Sequence, residues 1–188
     1  MRATCTAVAG RRGLSDLGMI TANARLLPAE INTDVHCSAK YMPGKDAAYV
    51  AQHAFDQVAP GFVSRFRKGD IIVAGGNFGI NSSREQAVRV LHLLGVAAVV
   101  APAFGRQFFR NAINNGLPVV EVDIAGIEDG DALEIDFTAG RLRVPQHDLE
   151  RTFAPLPQEI QAMLSAGGLI PFLKRHPDWR ISREPGDL

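Results

Sequence analysis

The chain has 188 residues, of which 46% are hydrophobic and 21% charged, so a packed core is expected and disorder is not. Lysine and arginine number 20, as do the acids, and a formal charge of zero gives no electrostatic basis for binding nucleic acid or an anionic membrane. No apolar run approaches the roughly 18 residues of a membrane span. Cys5 and Cys37 are too far apart for a zinc or cluster signature. Cubane iron–sulfur clusters are held by sets of thiolates that two cysteines do not complete, so the chain alone is expected to bind none.

From the N-terminus, Ala3 to Ala9 reads as a first strand before a turn at Gly10, and residues 1–27 as weakly patterned. Ile31 to Tyr41 reads as loop and short strand, broken by Pro43-Gly44. Asp46 to Val58 has helix spacing. The centre is clearest: Asp70 to Ala74 is an apolar run of the buried-strand type, and Arg84 to Leu94 a helix closed by Gly95. Val96 to Ala101 is a second buried strand, Arg106 to Asn115 a second helix, and Pro118 to Val122 a third strand. That alternation predicts an α/β fold with parallel crossover units. Asp131 to Val144 reads as a hairpin about Ala139-Gly140, and Gln158 to Ser165 as a helix, with a polar tail from His176. One domain is expected over 1–188, its core about 28–170 and its tail 176–188.

The segment with chemical content runs from Gly75 through Asn77-Phe-Gly79 to Ser82-Ser-Arg-Glu85. It joins the end of a buried strand to a helix start, where parallel sheets present ligands and where amide N–H groups and the helix dipole favour anions. Arg84 adds a permanently charged planar fork suited to a carboxylate. Two bonding schemes compete here. Ser82-x-x-Glu85 and Ser83-x-x-Gln86 both match a capping box, which needs no ligand. One helix start uses one cap, which leaves the second serine beside Arg84. A Walker-type phosphate loop does not fit, because Ile80-Asn81 stand where glycine and lysine belong.

Asn77-Phe-Gly79 and Ser82-Ser-Arg-Glu85 resemble the signature of the mobile domain of the aconitase superfamily. Ala103 to Asn111, with Asn114 and Gly116-Leu117, is similar to a second block of isopropylmalate dehydratase small subunits, and Ile31-Asn-Thr-Asp34 with Tyr41 to a third. The three blocks stand in the family's order over about residues 28–123. The resemblance implies a β/β/α three-layer swivelling domain that closes over a 4Fe-4S cluster held by a separate large subunit, as heterodimer or heterotetramer in the cytoplasm. It implies a hydro-lyase that isomerises a hydroxy di- or tricarboxylate, 2-isopropylmalate to 3-isopropylmalate in leucine biosynthesis. Ser82 is then the base, and Ser83, Arg84, Asn32, Thr33 and Asp34 bind substrate. Homoaconitate, a methylated malate and citraconate are same-class alternatives, and a carboxylate-binding module without activity is the different-class one. The sequence departs from the family at Asn81, usually glycine, and Gln86, usually histidine, and its loop Met42 to Asp46 matches no standard substrate-reading sequence. Asp34 could cap the turn at Thr33 or orient a neighbour. Arg106, Arg110 and Asn111 could form salt bridges or face a subunit or substrate, and Phe108-Phe109 reads as core or interface.

Overall fold

The computed structural model describes residues 17–28, 30–37, 42, 44–81 and 84–179. The strand expected over 3–9 lies outside them. In chain order the elements are β1 (Met19–Leu27), α1 (Thr33–His36), α2 (Ala47–Gln52), α3 (Phe62–Arg65), β2 (Ile71–Ala74), β3 (Asn77–Phe78), α4 (Glu85–Leu94), β4 (Ala98–Ala101) and β5 (Ala103–Phe104). Then follow α5 (Arg106–Asn114), β6 (Val119–Glu121), β7 (Ala132–Asp136), β8 (Arg141–Val144), β9 (Leu149–Thr152), α6 (Gln158–Ser165) and α7 (Leu169–Arg175). No helix among the described residues is long and apolar enough to cross a membrane.

A seven-stranded sheet runs in the order β6-β4-β2-β1-β7-β8-β9. The β6-β4-β2-β1 half is parallel and carries the expected crossovers through α4 and α5; the β1-β7-β8-β9 half is antiparallel. The fold is α/β, and the predicted hairpin is β7–β8. Every side chain of β2 and β4 is buried, as strands covered on both faces require.

β1 joins the two halves. Met19 to Asn23 pairs antiparallel with β7, and Ala24 to Leu27 parallel with β2. The change is fixed by charge: Arg25 Nε donates to Asp70 Oδ2 at 2.6 Å, and Asp70, 5% exposed, also accepts from the Arg67 amide at 2.9 Å. Asp129 accepts from the Leu26 amide and from Arg65 Nη1, which pins the approach to β7 onto β1. β1 corrects the expectation of a weakly patterned N-terminal region. Within the stretch 31–41 expected as loop and strand, α1 forms over Thr33–His36 and residues 38–41 lie outside the described residues; α2 ends at Gln52 rather than Val58, and α7 precedes the polar tail.

A second, two-stranded parallel sheet ties the crossovers together. Asn77 pairs with Ala103 and Phe78 with Phe104, and the Gly105 amide donates to the Phe78 carbonyl at 2.8 Å. The backbones approach so closely that a Cβ on Gly105 would overlap the Gly79 carbonyl, and one on Gly79 the Phe108 ring. Phe78 and Phe108 are buried beneath, ring centroids 5.0 Å apart. Phe108 is therefore core, while Phe109 is half-buried.

Gly105 has an ordinary backbone conformation (φ −61), so replacement there tests packing alone. Gly105→Ala should lower unfolding stability by about 1–3 kcal/mol, the usual range for overpacking, in denaturant titration. Unchanged stability would show that the loop and α5 are free to separate.

Candidate functional site

The site forms at the carboxyl ends of β1 and β2, where a parallel sheet leaves its connecting loops open to ligands. The Ile31 amide donates to the Asn77 carbonyl at 3.0 Å, the Gly79 amide donates to the Ile31 carbonyl at 2.7 Å, and Ile31 bridges Phe78 in parallel register. These bonds set Asn32-Thr33-Asp34 beside the loop that leads to α4.

α1 is capped by Asn32, whose side-chain oxygen accepts from the Asp34 amide at 3.1 Å. Of the two roles open to Asp34, the cap belongs to Asn32. Asp34 instead turns its carboxylate to Arg84, Oδ2 lying 4.0 Å from Nε. The carboxylate is 10% exposed and the guanidinium side 48%. A guanidinium met through Nε keeps its two terminal nitrogens free to form a bidentate pair with a second carboxylate.

α4 begins later than the sequence suggested. Its N-cap is Arg84, in extended backbone with no side-chain cap bond, and not a residue of its first turn. The two serines of the capping-box registers precede this position. Ser82 and Ser83 themselves lie outside the described residues. The loop turns at Gly79 (φ 80) and at Asn81 (φ 55). Asparagine is among the few side chains that accept this left-handed geometry, so the turn survives without the family's usual glycine.

Three polar atoms on these segments are buried with no hydrogen-bond partner among the described residues: the Thr33 hydroxyl, His36 Nδ1 and the Asn77 carboxamide oxygen. Such groups each forgo about 1–3 kcal/mol of solvation, and structures that keep them call for an explanation. Asn77 belongs to the motif read from sequence without a role of its own, and of the two roles open to Asp34 the pairing with Arg84 fits orienting a neighbour. The unfilled hydrogen-bonding capacity of Asn77 appears only once β3 is built.

Next to the first turn of α4 lies a cleft of about 440 Å³ lined by Asp46, Ala47, Glu85, Gln86 and Arg89. Asp46 caps α2, accepting from the Tyr49 amide at 2.8 Å. The variable loop ending at Asp46 and the atypical Gln86 thus meet in one charged recess. His92 is remote from this chemistry: it is exposed, and its Nε2 bonds the Asn115 carbonyl at 2.8 Å, linking the end of α4 to the end of α5. No group of three or more potential metal ligands occurs among the described residues, and Cys37, buried at the end of α1, is a single thiol.

A domain with this sheet, and with an arginine–aspartate pair at the carboxyl ends of its parallel strands, has close relatives. The family model described as the aconitase C-terminal domain matches residues 30–123. The 3-isopropylmalate dehydratase small subunit of Caldicellulosiruptor saccharolyticus is 44% identical over 146 residues, which cover 77% of this chain and 84% of that protein. A small subunit 2 from Archaeoglobus fulgidus is 43% identical over 132 residues, covering 70% of this chain and 80% of that one. The crystal structure of a 3-isopropylmalate dehydratase from Methanocaldococcus jannaschii superposes with a TM-score of 0.76 at 33% identity, over 85% of this chain and 95% of that one. The chain belongs to the 3-isopropylmalate dehydratase small-subunit family of the aconitase superfamily, a family of hydro-lyase subunits.

Burial pushes the Cys37 thiol well above its usual range and withholds the thiolate, the form that reacts. In the folded chain near pH 8, alkylating reagents should leave Cys37 unmodified, and denaturant should expose it, as read by peptide mass spectrometry. Native-state modification of Cys37 would show that the segment carrying Asn32 to Asp34 opens readily.

Proposed function

We propose that the chain is the small subunit of a hydro-lyase that converts 2-isopropylmalate to 3-isopropylmalate, as in leucine biosynthesis, by dehydration and rehydration. Its activity depends on a larger partner subunit that carries a 4Fe-4S cluster. One observation carries this reading: Arg84, at the start of α4, meets buried Asp34 through Nε and remains half exposed toward a ligand. Family membership supplies the reaction class.

In this reading the chain's own residues do three things. Arg84 holds a substrate carboxylate through its terminal nitrogens while Asp34 fixes the guanidinium plane. The Thr33 hydroxyl is fully buried and without a partner among the described residues, so it reaches a ligand only if α1 moves. Ser82 removes the proton from the carbon next to the one that loses hydroxide; on rehydration the hydroxyl adds to that deprotonated carbon and a proton is delivered to the carbon that lost hydroxide. A serine can act so only where its oxyanion is stabilised, and the amino end of the ten-residue α4 together with Arg84 supports that. The cluster, held by the partner, supplies Lewis acidity.

The charged recess of Asp46, Gln86 and Arg89 favours a second reading within the class, a related dehydratase whose substrate carries a polar group in place of isopropyl. A panel of isopropylmalate, homoaconitate, methylated malate and citraconate ranks the two.

In the assembled enzyme, Ser82→Ala should reduce kcat about 10²–10⁴-fold, the range for loss of a positioned base, with little change in thermal stability. Arg84→Lys, which keeps charge and loses the fork, should raise KM or lower kcat/KM with the fold intact. Full activity in Ser82→Ala, or unchanged kinetics with lost stability in Arg84→Lys, would assign these residues to the scaffold.

A further inference from the structure

Away from the site loop, α5 presents Arg106, Gln107 and Arg110 to solvent. Arg25, Arg65, Arg143 and Arg151 each meet a carboxylate. Neither Arg106 nor Arg110 has an ion-pair or hydrogen-bond partner among the described residues, and α5 has no acid in its first turn to offset Arg106 at its amino end. A cation there opposes the helix dipole, so local electrostatics gives no reason for it.

The two arginines border a groove of about 550 Å³ whose floor is the edge-to-face pair Phe104–Phe109, centroids 6.2 Å apart, and whose far wall is Glu121 at the end of β6. Past Phe109 and Glu121 the groove continues into a recess lined by Val119, Phe153 and Leu156. Half-buried aromatics flanked by unpaired arginines are the composition of interface centres rather than of ordinary surface. The groove is also mechanically tied to the site, through the β3–β5 pairing and the close contact of Gly105 with Gly79. The start of α5 therefore adjoins the loop at the carboxyl end of β2.

We propose that this groove, between the outward face of α5 and the end of β6, receives an acidic, partly apolar segment of the cluster-bearing partner subunit, with Arg106 and Arg110 as its charge contacts. The assignment rests on the two-subunit reading of function, and its test separates the two. The full chain and the partner encoded with it are purified, and their Kd is measured by calorimetry at low and high salt. Arg106→Glu with Arg110→Glu should raise Kd on the order of tenfold or more, with a smaller rise for the paired glutamine variants and a weaker salt dependence in both. The melting temperature of the free chain and the turnover of the complex at saturating partner should stay as in wild type. A Kd unchanged within error overturns the proposal. So does lost turnover at unchanged Kd, which would make the arginines substrate contacts, and so does a variant that only dissolves a homodimer of the free chain. Failure of the wild-type chain to bind the partner at all would instead overturn the two-subunit reading, and this assignment with it.

Discussion

The contact between Gly79 and Gly105 sets the geometry on which the rest of the site depends. The carbonyl of Gly79 occupies the space that any side chain at 105 would need. Only at that distance can Phe78 accept the Gly105 amide and β3 pair with β5. The loop after β2 is thereby held against the start of α5, with Phe78, Phe104 and Phe108 packed beneath it. From that anchored point Gly79 and Asn81, both left-handed, turn the chain in the direction of α4, which starts at Arg84. Interiors packed to crystal-like density do not absorb an added methyl at such a contact, so the position of the guanidinium is set by packing and not by the loop alone.

Arg84 then becomes a matter of electrostatics. Its charge sits at the amino end of a helix, where the dipole disfavours it, and it is compensated from outside the helix by Asp34. Asp34 is held in turn by Asn32, which spends its own side chain on capping α1. The pair is not closed: at 4.0 Å and half exposed on the arginine side, it retains capacity for a second anion. In the proposed function, a substrate with more than one carboxylate uses that capacity.

Much of the parallel half could be read from the chain, because buried strands such as Ile71–Ala74 and Ala98–Ala101 are unbroken apolar runs bracketed by glycine or proline. β1 alternates too, with Thr21, Asn23 and Arg25 set between Ile20, Ala22, Ala24 and Leu26, so its strand character is legible. Its pairing is not, because it serves two sheet halves with opposite pairing and its turning point depends on Asp70, far along the sequence. β3, β5 and α1 are too short for periodicity to show. At the site, the motif residues were recognisable but their relations were not. The capping-box spacing of Ser82 and Ser83 is local, whereas the extended backbone at Arg84 from which α4 starts is visible only in the fold. The meeting of Asp34 with Arg84, and the burial of the Thr33 hydroxyl and the Asn77 oxygen, arise from the bridge between Ile31 and Phe78. No sequence pattern encodes that bridge.

The most direct measurement is reconstitution from separate parts. The purified chain is titrated into the anaerobically prepared, cluster-bearing partner, and formation of the unsaturated acid from 2-isopropylmalate is followed by ultraviolet absorbance. The account predicts no turnover from either component alone, and turnover that rises with added chain and levels off at an equimolar ratio. A partner that turns over equally well without the chain, or a mixture silent toward every hydroxy acid in the panel, would contradict it.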